Sequence, residues 1–281
     1  LLLTNAQAAA THRALARLEL LVVQDLFLNE TARAYGTVFL PAAASFEKDG
    51  TFMNAERRIQ RVRRALAPPG EARADADALC AVARALGKGE SFHDVPAEAV
   101  WNEIRAVWPP VAGITYARLD HGGLQWPCPD ENHPGTAVLH TERFAHGVRT
   151  ALRRIEYHPS PEITDGEFPF VLITGRELYQ FNAGTMTRRT RNRELRPTDT
   201  LDLAPEDAQR LGIGDGDRVR MYSRYGETEL PARVSLAMKR GEVFATFHSS
   251  AVFLNRVTGP HRDRFVKTPE YKLTAVRIER V

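Results

Sequence analysis

The chain has 281 residues, of which 43% are hydrophobic and 26% are charged, values typical of a folded globular protein and not of a disordered or collagen-like one. This length favours about two domains. The net charge is +3, and no apolar run approaches the roughly 20 residues of a membrane-spanning helix, so we expect no membrane segment.

The two cysteines, Cys80 and Cys128, are too few and too far apart for a zinc or iron–sulfur framework. Cys80 lies in a helical pattern, where we expect a small buried thiol. The sequence begins at Leu1 without an initiator methionine and without the basic-then-apolar pattern of a secretory signal. We therefore expect that the beginning of the chain is missing from this sequence.

Strand-like and helix-like segments alternate between residues 17 and 87. In chain order we predict a buried strand in LELLVV, a short helix capped by Asn29 in LNETARAY, a strand closed by Pro41 in GTVFLPAA, a turn-rich loop with Asp49 and Gly50 at its tip in SFEKDGTFMN, and a helix ended by Gly87 in DADALCAVARALG. This alternation predicts a partial α/β domain with a largely parallel sheet.

Regular periodicity weakens between residues 109 and 166, where glycine and proline are frequent. From residue 167 onward, short strands separated by turns that contain Gly and Asp predict a small closed β-barrel, with one helix that begins at Pro205. We therefore expect an α/β domain over residues 1–108, a connector over residues 109–166 and a β-barrel domain over residues 167–281.

Polar side chains follow the first two predicted strands. Ligands of open α/β sheets bind beyond the carboxyl ends of the strands, so these side chains are candidates for binding a nucleotide; ordinary loop capping is the competing interpretation. They are Gln24, Asp25, Glu47, Asn54 and Arg57. The sequence lacks GxGxxG and GxxxxGK[ST] loops, which argues against a simple NAD or ATP domain.

A second group of candidates follows the strand VLITG. Gly175 allows the backbone to approach a ligand, and Arg176 can reach an anion. The segments 56–64 and 188–196 each contain five arginines, whose planar guanidinium groups suit phosphate oxygens. A solvated basic face, an acidic partner protein or a nucleic acid would explain the same clusters.

A third group lies at the end of a later strand, where His248 is followed by Asn255 and Thr258. A lone histidine of this kind is more often a hydrogen-bonded structural residue than a base or a ligand. Four further histidines lie in the connector, but their spacing fits no helix-face pair, and we expect no metal site there. They are His121, His133, His140 and His146.

Several segments together carry a resemblance to a known family. They are VVQDLFLNETA, FLPAAASFEKDGTFMNAERRIQRV, GLQWPCPDENHPGT, VLITGRELYQFNAGTMTRRT, VRMYSRYGE, FATFHSSAVFLNRVTG and KTPEYKLTAVRIE. With them the chain resembles the C-terminal part of the molybdopterin oxidoreductase family, and within it the catalytic (alpha) subunit of soluble, NAD-linked formate dehydrogenases. LYQFNAGTMTRRT, LQWPCP and TPEYKLTAV carry the resemblance to formate dehydrogenases.

The resemblance implies a bis-molybdopterin guanine dinucleotide cofactor on one molybdenum or tungsten atom, with one dinucleotide held by α/β domains and the other largely by a six-stranded double-psi β-barrel. Carried over by motif, the residues around the dinucleotide sites are Gln24, Asp25, Glu30, Glu47, Thr51, Asn54 and Arg57. Those that hold pterin and phosphates in the barrel are Gly175, Arg176, Gly184, Thr185, Met186, Thr187 and Arg188, with His248, Asn255, Thr258, Tyr271 and Lys272 nearby.

The resemblance further implies a cytoplasmic enzyme that oxidises formate to CO2 and passes electrons through Fe-S clusters to partner subunits of the flavin (FMN) diaphorase type, which reduce NAD. The metal ligand, Cys or selenocysteine, and the cluster cysteines belong to the family's N-terminal portion, so we expect no catalytic residue and no metal ligand here. Another member of the family, such as a nitrate reductase, is one alternative. A basic nucleic-acid-binding module is another, although aromatic residues are not interleaved with the basic runs.

Overall fold

The computed structural model describes residues 1–92, 96–144 and 146–281. The chain forms two compact units. Unit 1 consists of Leu1–Val23, Asn29–Val38 and Glu156–Val281, and unit 2 consists of Gln24–Leu28 and Phe39–Ile155. The chain therefore passes between the units several times, and the domain bounds 1–108, 109–166 and 167–281 stay a prediction.

Helices and short strands alternate in the part of the chain before residue 126. In chain order they are α1 (Ala8–Leu15), β1 (Val22–Asp25), α2 (Glu30–Tyr35), β2 (Val38–Pro41), β3 (Gly50–Met53), β4 (Arg58–Val62), α3 (Asp75–Ala85), α4 (Ala97–Val107), α5 (Tyr116–Leu119) and β5 (Leu124–Gln125). Short 3-10 turns occur at Ser45–Glu47 and Pro109–Val111.

The later part of the chain is mainly β. It contains β6 (Phe170–Gly175), α6 (Asn192–Leu195), β7 (Leu201–Leu203), α7 (Pro205–Leu211), β8 (Arg218–Ser223), β9 (Glu227–Val234), β10 (Glu242–Thr246) and β11 (Thr274–Arg280). In the described part of the chain, no helix combines the length and the apolar character needed to cross a bilayer.

The predicted helices are confirmed, because their start and stop signals are local. The side chain of Asn29 accepts a hydrogen bond from the N–H of Ala32 at 3.0 Å, which caps α2. α3 has acidic residues in its first turn, and Gly87 adopts a left-handed φ of 70° just after it. α7 begins at Pro205, as predicted.

The first predicted strand is shorter than expected. β1 contains only Val22 and Val23 of the segment LELLVV, and Leu18, Leu20 and Val22 are exposed, so the expectation of a buried strand over LELLVV was wrong. Hydrogen bonding to the following segment starts at Leu21, whose carbonyl accepts the N–H groups of Thr37 and Val38. Strand geometry begins where a neighbouring segment can satisfy the backbone.

Unit 2 contains a three-stranded antiparallel sheet in the order β3-β4-β5, which the sequence interpretation treated as a loop and a basic cluster. The expected turn at Asp49 and Gly50 is wrong, because β3 begins at Gly50. The chain reverses instead between Asn54 and Arg57. The Asn54 side chain accepts the N–H groups of Glu56 and Arg58, and Arg57 has a positive φ of 63°.

Unit 1 contains the predicted β-barrel, which closes through the strand order β10-β6-β11-β8-β9-β7. β10 runs parallel to β6 and β7 parallel to β9, whereas the remaining neighbours are antiparallel. Alternate residues of each strand point inward. The fully buried interior residues include Leu172, Leu201, Leu203, Val219, Met221, Leu230, Val243, Ala245 and Val276. Burial of one Leu or Val side chain stabilises a fold by about 1.5–3 kcal/mol.

The topology of the barrel collects functional segments at one edge. Since β6 and β10 are parallel, with Thr246 opposite Gly175, their carboxyl ends meet. The segments that follow them begin with Arg176 and Phe247. The predicted fold class, a partial α/β region followed by a β-barrel, is confirmed. The edge of the barrel where β6 and β10 end is the candidate ligand site.

Candidate functional site

A cavity of about 300 Å³ lies at this edge of the barrel in unit 1. Its volume is at the lower end of the ~300–1,000 Å³ range of small-molecule sites. Its lining residues are Leu3, Thr4, Thr174, Arg176, Asn182, Phe247, Leu254, Asn255, Thr258, Tyr271 and Lys272. Of the predicted barrel residues, the cavity therefore brings together Arg176, Asn255, Thr258, Tyr271 and Lys272.

Two of the side chains that line the cavity are positively charged. The guanidinium of Arg176 lies 6.0 Å from the ring centre of Phe181, and Lys272 Nζ donates a hydrogen bond to the carbonyl of Thr174 at 2.8 Å. Within the described residues, neither side chain forms an ion pair with a carboxylate. The cavity is therefore electropositive and suits an anionic ligand.

The polar wall of the cavity includes a buried acceptor without a partner. Asn255 is 4% exposed; its Nδ2 donates to the carbonyls of Leu2 and Asn5, while its Oδ1 has no hydrogen-bond partner in the described structure. Buried polar atoms are normally paired. A ligand that carries an N–H group can supply the missing donor.

Two further hydroxyl groups secure the segment Leu1–Gln7 beside the cavity. Thr258 Oγ1 accepts the N–H of Gln7 at 3.3 Å, and the Tyr271 hydroxyl donates to the carbonyl of Thr4 at 2.6 Å. Leu3 and Thr4 thus complete a wall that the sequence interpretation did not identify, because they are more than 240 residues away from these partners along the chain.

The predicted loop residues 184–188 lie next to the cavity but do not line it. Gly184 has a positive φ of 67°, and a Cβ at this position would lie 2.9 Å from Cγ of Arg188 and 3.1 Å from Cβ of His248. The hydroxyl of Thr187 donates to Gln180 at 2.7 Å. Thr185 is half-buried, like Thr187 and Arg188, and Met186 is exposed.

Arg188 is neutralised within unit 1. Its Nη1 donates to Ser250 Oγ at 2.8 Å, and its Nη2 donates to Glu30 Oε1 at 3.2 Å. Burial raises the pKa of Glu30, but hydrogen bonds from its own backbone N–H and from Arg188 outweigh burial, so the pKa lies below its ordinary value. Glu30 and Arg188, predicted for different parts of the cofactor, are therefore direct partners.

Gly175 and His248 have roles that differ from the simplest sequence expectation. A Cβ on Gly175 would lie 2.4 Å from the ring of Phe244, so this side chain occupies the space that we had expected a ligand to approach. His248 is 1% exposed and lines a separate small cavity near Phe244 and Thr246. Its Nδ1 lies 2.7 Å from Asp199 Oδ1, outside hydrogen-bond geometry.

The predicted dinucleotide residues of unit 2 bind neighbouring parts of the chain. Gln24 donates to Asp75 at 2.8 Å, and the carboxylate of Glu47 accepts the N–H of Ala44 at 2.7 Å. Thr51 lies in β3 opposite Arg61. The side chains of Asp25 and Asn54 accept backbone N–H groups of their own loops. The contacts of Glu47, Asp25 and Asn54 are of the loop-capping kind, and the assignment of all these residues to a dinucleotide site stays a prediction.

The first arginine cluster is also bound internally. Arg57 donates to the carbonyls of Trp126, Thr136 and Ala137. Arg61 and Arg63 both bind Asp120, and these hydrogen bonds, that of Arg61 foremost, hold the pKa of Asp120 below its ordinary value. Within the described residues, no group of three or more His, Cys, Asp or Glu side chains could hold a metal ion.

Asp199 is the prominent polar residue that the sequence interpretation missed. It is fully buried and lies between α6 and β7. Its partners Thr246, His248 and Ser249 are 47 to 50 residues away along the chain. Nothing in the local pattern PTDTL indicates these contacts, because β7 and β10 must pair before they form.

Two family descriptions match this chain. Residues 170–275 match "Molydopterin dinucleotide binding domain", and residues 1–85 match "Molybdopterin oxidoreductase". The first range contains the strands β6 to β10 and the start of β11. It also contains Arg176, Asn255 and Lys272 of the cavity.

Curated relatives include two kinds of enzyme. The F420-dependent formate dehydrogenase subunit alpha of Methanocaldococcus jannaschii is 44% identical over 271 residues, which cover 96% of this chain and 40% of the relative. The assimilatory nitrate reductase catalytic subunit of Bacillus subtilis is 35% identical over 286 residues, 98% of this chain and 40% of the relative. This chain thus spans about 40% of the length of these relatives.

A solved structure has the same fold. Acetylene hydratase from Pelobacter acetylenicus superimposes with a TM-score of 0.74, at 17% sequence identity, over 98% of this chain and 42% of that chain. At this identity the similarity shows the fold and carries no information about the reaction.

Proposed function

Because the chain joins a molybdopterin oxidoreductase segment to a molybdopterin dinucleotide binding domain, we propose that it is the cofactor-binding portion of a formate dehydrogenase catalytic subunit. The relatives named formate dehydrogenase subunit alpha support this proposal. The observation that carries it is the electropositive cavity in the matched range, in which Arg176 and Lys272 have no carboxylate partner within the described residues.

The residues of the cavity fit one part of a pterin dinucleotide. Arg176 and Lys272 provide cationic donors for phosphate oxygens, and Phe247 and Leu254 provide apolar surface for a flat ring. The unpaired Oδ1 of Asn255 fits an N–H group of a heterocycle. The volume of about 300 Å³ suits a portion of the cofactor and not two dinucleotides.

In this proposal the bound cofactor would supply a molybdenum or tungsten centre as the two-electron acceptor for the oxidation of formate to CO2 and a proton. The residues of this chain bind and orient the cofactor. Asn255 and Thr258 fix the segment Leu1–Gln7 against the barrel, and Leu3 and Thr4 of this segment line the cavity. We assign no proton transfer and no catalytic residue to this chain.

The electron acceptor is a separate part of the proposal. The resemblance to NAD-linked formate dehydrogenases implies NAD, reached through Fe-S clusters and an FMN-containing partner subunit, together with the N-terminal remainder of the subunit and a cytoplasmic location. The relatives named F420-dependent favour F420 as the alternative acceptor. Formate-dependent reduction of NAD and of F420 by the purified complex distinguishes the two.

A nitrate reductase is the second candidate, because a relative with that name is 35% identical over nearly the whole chain. The predicted metal ligand lies outside the region that this chain shares with the relatives. The comparison of this region therefore does not distinguish formate from nitrate as the substrate. Formate-dependent reduction of a dye, without nitrate-dependent oxidation of the reduced dye, is the result expected of our proposal. The opposite pattern would favour the nitrate reductase.

Removal of a cavity arginine tests cofactor binding. We expect that Arg176→Ala in the full-length subunit lowers the content of metal and of extractable guanine nucleotide, because a phosphate loses its cationic donor. Arg188→Ala is expected to act in the same direction through the loop. Arg191→Ala is the matched control, since the Arg191 side chain is 93% exposed and lies outside the cavity.

The contents of metal and guanine nucleotide in the wild type and the variants decide whether the proposal holds. Wild-type content in Arg191→Ala and a reduced content in Arg176→Ala would support the proposal. A wild-type subunit without guanine nucleotide, or Arg176→Ala with an unchanged content, would contradict it.

A further inference from the structure

A fully buried carboxylate fixes the segment that follows β10. Asp199 accepts hydrogen bonds from the Thr246 hydroxyl at 2.7 Å and from the backbone N–H groups of His248 and Ser249, both at 2.9 Å. All three donors lie within four residues of the end of β10, so the carboxylate determines how the chain leaves the barrel there.

This turn, residues 246–250, contributes one residue to the cavity wall and contacts the neighbouring loop 184–188. Phe247 lies between two residues that Asp199 holds, and its side chain lines the cavity. Ser250 Oγ accepts a hydrogen bond from Arg188 Nη1 at 2.8 Å, which orients the guanidinium of the neighbouring loop. Cβ of His248 also lies against Gly184 of that loop. The turn thus connects Asp199 to the cavity wall and to Arg188.

The charge of Asp199 makes this arrangement sensitive to substitution. Burial raises the pKa of this carboxyl, but the side chain of His248, foremost, and the hydrogen bonds from the Thr246 hydroxyl and the His248 N–H outweigh burial and keep the pKa below its ordinary value. A buried carboxylate is tolerated when its hydrogen bonds are complete, and the loss of its charge leaves the donors around it poorly paired.

We propose that Asp199 is a positioning residue for the cofactor: it holds the turn 246–250 so that Phe247 keeps its place in the cavity wall and Arg188 keeps its place in the loop beside the cavity. This inference rests on the proposed function for the identity of the ligand. Asp199 itself does not line the cavity, so it acts through the turn and not by contact with the ligand.

The same strand offers a matched control at its other end. Asp207 is also fully buried, and its Oδ2 accepts the N–H of Gly241 at 2.6 Å, just before β10 begins. A strand of this length spans about 17 Å, so Asp207 anchors the barrel far from the turn 246–250. Asp199→Asn and Asp207→Asn therefore both alter a buried carboxylate, but of the two it is Asp199→Asn that disturbs the turn 246–250.

The experiment uses the full-length subunit and two measurements. Hydrogen exchange is expected to increase at residues 184–190 and 246–250 in Asp199→Asn, and near residue 241 in Asp207→Asn. Guanine nucleotide is expected to dissociate roughly tenfold faster or more from Asp199→Asn, by analogy with residues that orient the ligands of metal sites, and at the wild-type rate from Asp207→Asn.

The two measurements separate this inference from the proposed function. If the wild-type subunit contains no guanine nucleotide, the proposed function fails, while hydrogen exchange still tests whether Asp199 holds the turn. Equal exchange and equal nucleotide dissociation in the two variants would overturn the inference. If Asp199→Asn does not fold, Ser250→Ala removes the hydrogen bonds of the turn to Arg188 and Glu30, and unchanged exchange at residues 184–190 in that variant overturns the inference as well.

Discussion

Replacement of Gly184 by alanine is a quantitative test of how tightly the cavity loop is packed. Gly184 has a φ of 67°, in the left-handed region, and its missing side chain leaves room for Cγ of Arg188 and Cβ of His248. The guanidinium of Arg188 is held by Ser250 and Glu30. Arg188 therefore cannot move away from a new methyl group without the loss of one of these contacts.

The loss of folding stability that we expect for Gly184→Ala has two parts. A non-glycine residue in the left-handed region costs about 1–2 kcal/mol, and insertion of a methyl group into a packed site costs about 1–3 kcal/mol more. Gly212→Ala provides the control, since Gly212 has a φ of 65° and no atom lies within 4 Å of its added Cβ. The two variants share the backbone cost and the change in unfolded-state entropy, so their difference isolates the packing cost.

We expect Gly184→Ala to lower the free energy of unfolding by about 1–3 kcal/mol more than Gly212→Ala. Urea unfolding measures this difference, with hydrogen exchange at residues 246–250 as a local readout. Equal destabilisation by the two substitutions would refute the argument that the loop is packed against Arg188 and His248. A smaller effect of Gly184→Ala than of Gly212→Ala would refute it too.

Two further predictions concern other groups. Arg57→Met removes hydrogen bonds to the carbonyls of Thr136 and Ala137. We expect the free energy of unfolding to fall by about 1.5–3 kcal/mol and hydrogen exchange at residues 126–137 to become faster. Unchanged exchange would contradict this role of Arg57. Because the pKa of Asp199 is lowered in the folded state, its contribution to stability is complete above its unfolded pKa of about 4 and declines as the pH falls through the folded value. Unfolding measured from neutral to acid pH should therefore be less pH-dependent in Asp199→Asn, and parallel curves for variant and wild type would exclude this contribution.

Much of the fold could be predicted because its signals are local. The cap of α2 by Asn29, the start of α7 at Pro205 and the alternating burial of β6 and β9 depend on residues close together in the sequence. Turns between short alternating strands indicated a barrel for the same reason.

The antiparallel sheet of unit 2 could not be predicted in this way. In the strand β4, sequence RIQRV, Ile59 is the buried residue, and its neighbours are polar. Such a segment has little intrinsic preference for a strand and acquires the strand state through pairing with β3 and β5. Its arginines suggested a ligand, because the sequence does not show that Asp120 and several backbone carbonyls would bind them.

The position of the candidate site depends on which cations lack a protein carboxylate partner, and not on how many arginines lie close together in the sequence. The cluster of residues 56–64 contains five arginines, yet Arg57, Arg61 and Arg63 bind acceptors within unit 2, and a cation that already has a partner gains little from an added anion. Arg176 and Lys272 lie apart in the sequence, but β6 and β11 are neighbours in the barrel and bring them to one cavity without carboxylate partners among the described residues. A ligand phosphate would not compete there with a protein carboxylate, so under the proposed function we expect these two cations, more than the arginine clusters, to select where an anionic cofactor binds.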